Sequence, residues 1–156
     1  MVAKLLIAWV VMLACVVMHA MGTIVIVRGL IAPRLSTIRG LLSAVWLLIV
    51  VVTCFAAVHL AEIALWALLY QGMDSMPNME TALYFSAVTY TTVGYGDVVL
   101  PLEWRLAAGI EALTGILMTG WTSALIFFVL VRVRAALEAA GHVAPFTINP
   151  DSDIKP

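Results

Sequence analysis

Three apolar runs decide most of what this chain can become. Leu5 to Val27 contains no Asp, Glu, Lys or Arg, Leu41 to Tyr70 contains one, Glu62, and Trp104 to Val131 contains Arg105 and Glu111. At about 1.5 Å per residue each run is long enough to cross a hydrocarbon core ~30 Å thick. Inside lipid every backbone N–H and C=O must be bonded within the protein, so such runs fold as helices. The rest of the composition agrees: 64% of the 156 residues are hydrophobic and 11% are charged, with a mean hydropathy of +1.11. These values exclude an ordinary soluble domain and leave room for one membrane bundle. The net charge of −1 carries little information. Cys15 and Cys54 both fall inside apolar runs, which is no disulfide framework. Neither a nucleophile–base pair nor metal-ligand spacing emerges, so neither catalysis nor a cofactor is expected. A cleaved signal peptide would explain the first run only with an apolar region of unusual length. It would also need a small-residue cleavage site, and none follows.

Between the second and third runs lies a segment of a different kind. Gln71 to Pro77 reads as a polar turn. Asn78 is placed to cap a helix, with Glu80 in its first turn at the positive end of the helix dipole. That helix, over residues 78–91, is too short to cross a membrane. It runs into Thr91, Thr92, Val93, Gly94, Tyr95, Gly96 and Asp97, a poor helix and a poor strand. Two glycines one residue apart permit positive φ. Their alternation with larger residues lets successive carbonyls turn to one side while Val93 and Tyr95 turn to the other. A short helix feeding such a strand is a re-entrant element, tolerated at membrane depth only where protein or a water-filled path surrounds it.

The stretch ALYFSAVTYTTVGYGD, Ala82 to Asp97, resembles the pore helix and selectivity filter of the potassium-channel superfamily, of the two-transmembrane pore-domain type. With its flanking helices the resemblance covers about residues 41–132, and it leaves an extra N-terminal transmembrane helix. It implies an all-α membrane protein of three transmembrane helices plus a re-entrant pore helix and filter, assembled as a homotetramer. The implied function is K⁺-selective passive conduction, with K⁺ held by backbone carbonyls of Thr92, Val93, Gly94 and Tyr95 and the filter completed by Gly96. A non-conducting or regulatory channel-like subunit, or a membrane sensor built on the same fold, is the alternative. The expected partners are other copies of the chain, the lipid bilayer and K⁺ ions; no nucleic acid is expected.

The expected layout is an N-terminal transmembrane helix over 1–28 and a basic cytoplasmic loop over 29–40. The pore domain follows over 41–134, with outer helix 41–70, pore helix 78–91, filter 92–97 and inner helix 104–134. A short, mostly disordered tail over 135–156 closes the chain. Charge bias sets the orientation. Arg28, Arg34, Arg39, Arg132, Arg134 and Lys155 fall on one side, Lys4 and Arg105 on the other. The more basic side is cytoplasmic, which puts the N-terminus and the filter mouth outside. Asp74, Glu80, Asp97 and Glu103 then lie on the outer face, where they would concentrate cations. Short length without appended domains suggests a bacterial inner membrane.

The third helix supplies the pore wall. Taking Thr119 as pore-facing, helical spacing adds Ile116, Ser123, Phe127 and Leu130. Phe127 and Leu130 are candidates for a hydrophobic gate, with packing of Phe127 on the second helix as the other reading. By the family resemblance Gly115 falls at a gating hinge; simple close packing is equally compatible. No helix carries an arginine repeat, so no voltage sensor is expected.

Glu62 and Glu111 are the intramembrane acids. Each lies roughly 9–10 Å outward of its helix middle, level with the filter. His59 sits one turn from Glu62. The expectation is one polar belt in which Glu111, Glu62 and His59 bond Ser86, Thr89 or Tyr90 behind the filter. Some potassium channels place a glutamate in the pore helix at the position of Val88, so this sequence departs from that pattern. The resemblance also pairs Tyr84 with Asp97. It leaves Tyr95 without its usual brace, because Phe85 cannot donate; Thr89 is the expected substitute. His19 is expected to make a packing or interhelical contact.

Overall fold

The computed structural model describes residues 2–35 and 37–144, and the disordered-tail expectation for 145–156, with Lys155, lies outside them. Helix α1 (Val2–Ile26) passes through a π-helical turn (Val27–Ile31) into the short α2 (Ala32–Leu35). Helix α3 (Leu41–Gly72) follows, then α4 (Met79–Tyr90), a 3₁₀ turn (Leu102–Trp104) and α5 (Arg105–Ala139). Three of these rods, Val2–Leu35, Leu41–Gly72 and Leu102–Ala139, are long and apolar enough to cross a membrane.

The loop expected over 29–40 is mostly helix. Pro33 would ordinarily clash with the preceding turn and remove a bond. Here the helix widens just before it: the Ala32 N–H reaches the Val27 carbonyl, five residues back. A π turn of this kind makes room for the proline ring and lets the helix continue. The chain breaks only at residues 37–40, where Ser43 Oγ donates to the Gly40 carbonyl at 2.7 Å as α3 begins.

The pore-helix start is set by Asn78, whose Oδ1 accepts from the Thr81 N–H at 2.8 Å and from the Thr81 hydroxyl at 3.0 Å. At the far end of α5, Gly141 takes φ +74 and closes the helix in the left-handed conformation.

Packing divides into two apolar layers. One surrounds Trp66, Tyr70, Phe85, Trp104 and Met118, with Ala8, Met12 and Cys15 contributed by α1. The other gathers Ile26, Leu47, Val51, Phe55, Val129 and Val133. Between them, on three different helices, lie His19, Glu62 and Thr122, all buried. Helix α1 therefore packs along both α3 and α5. Its first turn also reaches the start of α5: the Lys4 ammonium lies 3.5 Å from Glu103 and 4.7 Å from the Trp104 ring centre. At the opposite end His142 Nε2 meets the Arg39 carbonyl at 2.8 Å.

Gly115 marks a close approach of α5 to α4. A Cβ built there would stand 1.9 Å from the Tyr90 carbonyl oxygen, at the C-terminus of the pore helix. Backbone touches backbone, and α5 runs without interruption through this point. Two variants separate local from tertiary support, read as thermal unfolding in detergent. Asn78→Ala should cost about 1 kcal/mol through the lost cap. Gly115→Ala should be clearly worse, since main chain must move to admit the methyl.

Candidate ion pathway and the clusters behind it

The filter stretch leaves α4 with its amides turned back. Thr92 N–H bonds the Thr89 carbonyl at 2.9 Å, and Val93 and Gly94 N–H both bond the Val88 carbonyl, at 3.0 and 3.2 Å. Val88, where a glutamate might have stood, thus serves through its main chain. Beyond it the backbone alternates: Thr92, Gly94 and Gly96 have φ of +60, +55 and +78, while Val93 and Tyr95 stay negative. Alternation of left- and right-handed residues turns consecutive peptide oxygens to one side of the strand. The two glycines adopt this freely. Thr92 is held in it at a cost of order 1 kcal/mol.

Just beyond the strand, Tyr84 donates its hydroxyl to Asp97 Oδ2 at 2.7 Å. This bond holds the Asp97 carboxyl below its ordinary range, because it favours the ionised form. Tyr95 does not follow the expectation. Its side chain is 72% exposed, and it has no bond to Thr89. Alternation sends the Val93 and Tyr95 side chains to the face opposite the carbonyls, where both are exposed. The strand is one wall of a site and leaves the other walls to something else.

On α5 the residues Ile116, Thr119, Ser123, Phe127 and Leu130 are all exposed, along with neighbours on a broad face of that helix. Phe127 is 68% exposed. Ser123 Oγ returns its hydrogen to the Thr119 carbonyl at 2.8 Å, leaving oxygen lone pairs on this face.

Behind the filter the expected single belt is two clusters. Glu111, fully buried, accepts from the Tyr70 hydroxyl at 2.7 Å and lies in a short contact with Ser86 Oγ. Ser86 Oγ also lies 2.8 Å from the Ile63 carbonyl. One serine hydrogen cannot serve two acceptors. All three contacts close when Glu111 keeps its acid proton on Oε1 and donates it to Ser86, which then donates to Ile63.

The second cluster centres on Glu62, also fully buried. The Tyr90 hydroxyl donates to its Oε2 at 2.5 Å. His19 Nδ1 approaches Oε1 at 3.1 Å, and His59 Nδ1 approaches Oε2 at 3.2 Å. His59 Nδ1 lies 2.9 Å from the Tyr90 oxygen. The remaining imidazole nitrogens, His59 Nε2 and His19 Nε2, meet one hydroxyl, Thr122 Oγ1, at 3.0 and 3.2 Å. Donor atoms of His19, His59 and Glu62 lie within 4.8 Å of one another, near enough for a metal ion, and each also makes one of these close polar contacts. Tyr90 is the last residue of α4, so this cluster grips the pore helix at the base of the filter.

Glu62, Glu111, His59, Ser86 and Tyr90 thus meet in the region the sequence suggested, while Thr89 takes part only through its backbone. His19, Tyr70 and Thr122 are the partners the sequence reading did not assign. Thr122 could have been found from spacing, because it lies on the same buried stripe of α5 as Glu111, Gly115 and Met118.

A short capped helix pointing into a strand with one-sided carbonyls, flanked by two spanning helices, is the pore unit of an ion channel. The family model described as an ion channel matches residues 45–132, more than half of the chain, so this protein belongs to that family. It is an integral membrane protein and not an enzyme. No curated protein and no solved structure matched the chain. The matched segment holds most of α3, all of α4, residues 92–97 and most of α5; α1, which supplies His19, lies outside it.

Removing the Tyr84 hydroxyl tests the outer support. Asp97 is ionised above its depressed folded value, and any stability from this bond is lost as pH falls through that value. Tyr84→Phe should move the Asp97 titration up toward an ordinary aspartate, about 3.9. Carboxyl ¹³C NMR on labelled protein would record the shift; an unmoved titration would mean the bond does not form in the membrane.

Proposed function

We propose that the protein is a K⁺-selective channel that conducts passively through a homotetrameric pore. The observation that carries this reading is the alternating backbone of residues 92–96 at the end of the pore helix. Carbonyls facing one way replace water around a cation. One strand covers one side of an ion, and four copies around an axis would complete the cage. Tyr95, exposed and unbraced within its own chain, is then free to pack against a neighbouring copy. The α4 helix adds its negative dipole end toward the same axis, below the filter.

The remaining site residues fit this scheme. Thr92, Val93, Gly94 and Tyr95 hold K⁺ through main-chain oxygens, with Gly96 permitting the last turn. Thr119 and Ser123 wet the cavity beneath, and Ile116, Phe127 and Leu130 narrow it toward the inner end. Gly115 couples the inner helix to the pore helix, so a bend there would be felt by the filter. Arginines 28, 34, 39, 132 and 134 cluster at the end of the bundle opposite the filter, which supports a cytoplasmic inner end and an external N-terminus. The setting that best suits such a chain is a bacterial inner membrane.

Purified protein in liposomes should pass K⁺ at least tenfold faster than Na⁺. Equal permeation of the two ions removes the selectivity claim, and absence of flux favours a channel-like subunit that does not conduct alone. Phe127→Ala should raise single-channel open probability by widening the inner constriction. Unaltered gating in bilayer recordings would place the gate elsewhere.

A further inference from the structure

The Glu62 cluster does not close with the protons its residues ordinarily carry. Six short contacts join Glu62, His19, His59, Tyr90 and Thr122. An ionised Glu62 only accepts. His19 must therefore carry its hydrogen on Nδ1 to reach Oε1. Its bare Nε2 then needs the single hydrogen of Thr122. Thr122, having given that hydrogen away, can only accept from His59, so His59 carries its hydrogen on Nε2. One hydrogen remains, on Tyr90, for the three close pairs among Glu62 Oε2, Tyr90 Oη and His59 Nδ1. With two neutral imidazoles, at least one of those pairs sets lone pair against lone pair at 2.5 to 3.2 Å.

One added proton resolves this. Placed on His59 Nδ1, it faces both Glu62 Oε2 and the Tyr90 oxygen, while Tyr90 donates to Glu62. Placed on Glu62 Oε2, it bonds Tyr90, which then donates to His59, and only the 3.2 Å pair of His59 Nδ1 and Glu62 Oε2 is left without a hydrogen. Either way the cluster becomes electrically neutral, which an apolar interior strongly favours.

We infer that His19, His59 and Glu62 form a proton-binding site that couples the N-terminal helix to the base of the selectivity filter. The inference rests on the channel reading and gives it a regulator. The occupied form matches the filter geometry described above. Loss of the proton leaves a net negative charge between α1, α3 and α4. The bare His59 Nδ1 then sets its lone pair against the Tyr90 oxygen, and the displacement of Tyr90 reaches Thr91 and Thr92 directly through the chain. Tyr90 is also pressed on Gly115 by its carbonyl, so the inner helix feels the same displacement. Access is through His59, whose side chain is 19% exposed, while His19 and Glu62 are closed off. The other titratable groups nearby are Cys15 on α1 and Glu111 on α5. Glu111 is held separately by Tyr70 and Ser86, and Cys15 carries no charge as a buried thiol.

The test is a pH series on the purified full-length channel in bilayers, with each side buffered independently. K⁺ open probability should fall on the alkaline side, approaching about tenfold per pH unit beyond the midpoint for one linked proton. Glu62→Gln and His19→Asn should each flatten that response, whereas Glu111→Gln should keep it. ¹⁵N NMR of labelled imidazoles, together with the Glu62 carboxyl stretch, should find one shared proton that is lost over the same pH range. Three results would overturn the proposal: a flat wild-type profile, a response that survives Glu62→Gln, or one equivalent of tightly held zinc in purified protein in place of the proton. K⁺ over Na⁺ selectivity measured at the permissive pH stands or falls independently, so failure of the proton site is distinguishable from failure of the channel reading. A variant that does not assemble is replaced by the NMR measurement on unmodified protein.

Discussion

Two carboxylic acids inside a bundle of apolar helices are the constraint on which this structure turns. An unpaired carboxylate in such a place is strongly disfavoured, so each acid must be surrounded by donors. The donors come from different helices, and recruiting them fixes how those helices sit. Glu111 on α5 draws in Tyr70 from α3 and Ser86 from α4. Glu62 on α3 draws in His19 from α1 and Tyr90 from α4, with Thr122 on α5 completing the outer ring of bonds. Apolar packing holds the rods together, but it is tolerant of sliding and rotation. The two acid clusters remove that freedom at the depth where the pore helix ends.

This arrangement explains how residues 92–97 can be supported without a glutamate at the position of Val88. Val88 offers only its carbonyl, which receives two filter amides. Lateral support comes from outside the pore helix, through Ser86 and Tyr90 one turn apart on its buried face. The outer end has its own tie, Tyr84 to Asp97. Between these ties the filter strand is bonded to α4 only at its start, and its side chains are exposed. A lone chain thus carries a rigid platform and an unsupported strand, the division expected of a part completed by its neighbours.

The features legible in the sequence were those set by local spacing. Asn78 before an amphipathic run gave the cap, and Gly94 and Gly96 gave the backbone alternation. The offset between Tyr84 and Asp97 followed the family pattern. The stretch expected as a loop over 29–40 is mostly helix because a widened turn upstream of Pro33 absorbs a proline that ordinarily ends a helix. The single polar belt resolved into two clusters because the bonding depends on rotation of α3 about its axis, which no linear pattern specifies: Glu62 turns toward α1 and leaves Glu111 to Tyr70. His19 was visible as a lone histidine in an apolar run, but its partners lie 43 and 103 residues away. Tyr95 makes no bond to Thr89 of its own chain, because its ring stands exposed on the face opposite the carbonyls.

In the proposed function the carbonyls of residues 92–95 surround K⁺ in a four-fold assembly. The most direct measurement is a cryo-EM reconstruction of the purified protein in K⁺ and again in its absence. The account predicts a four-fold particle with density on the axis between successive Thr92–Tyr95 carbonyl rings in K⁺, reduced when K⁺ is withdrawn. A particle of other symmetry, or filter strands facing lipid with no axial density, would contradict it.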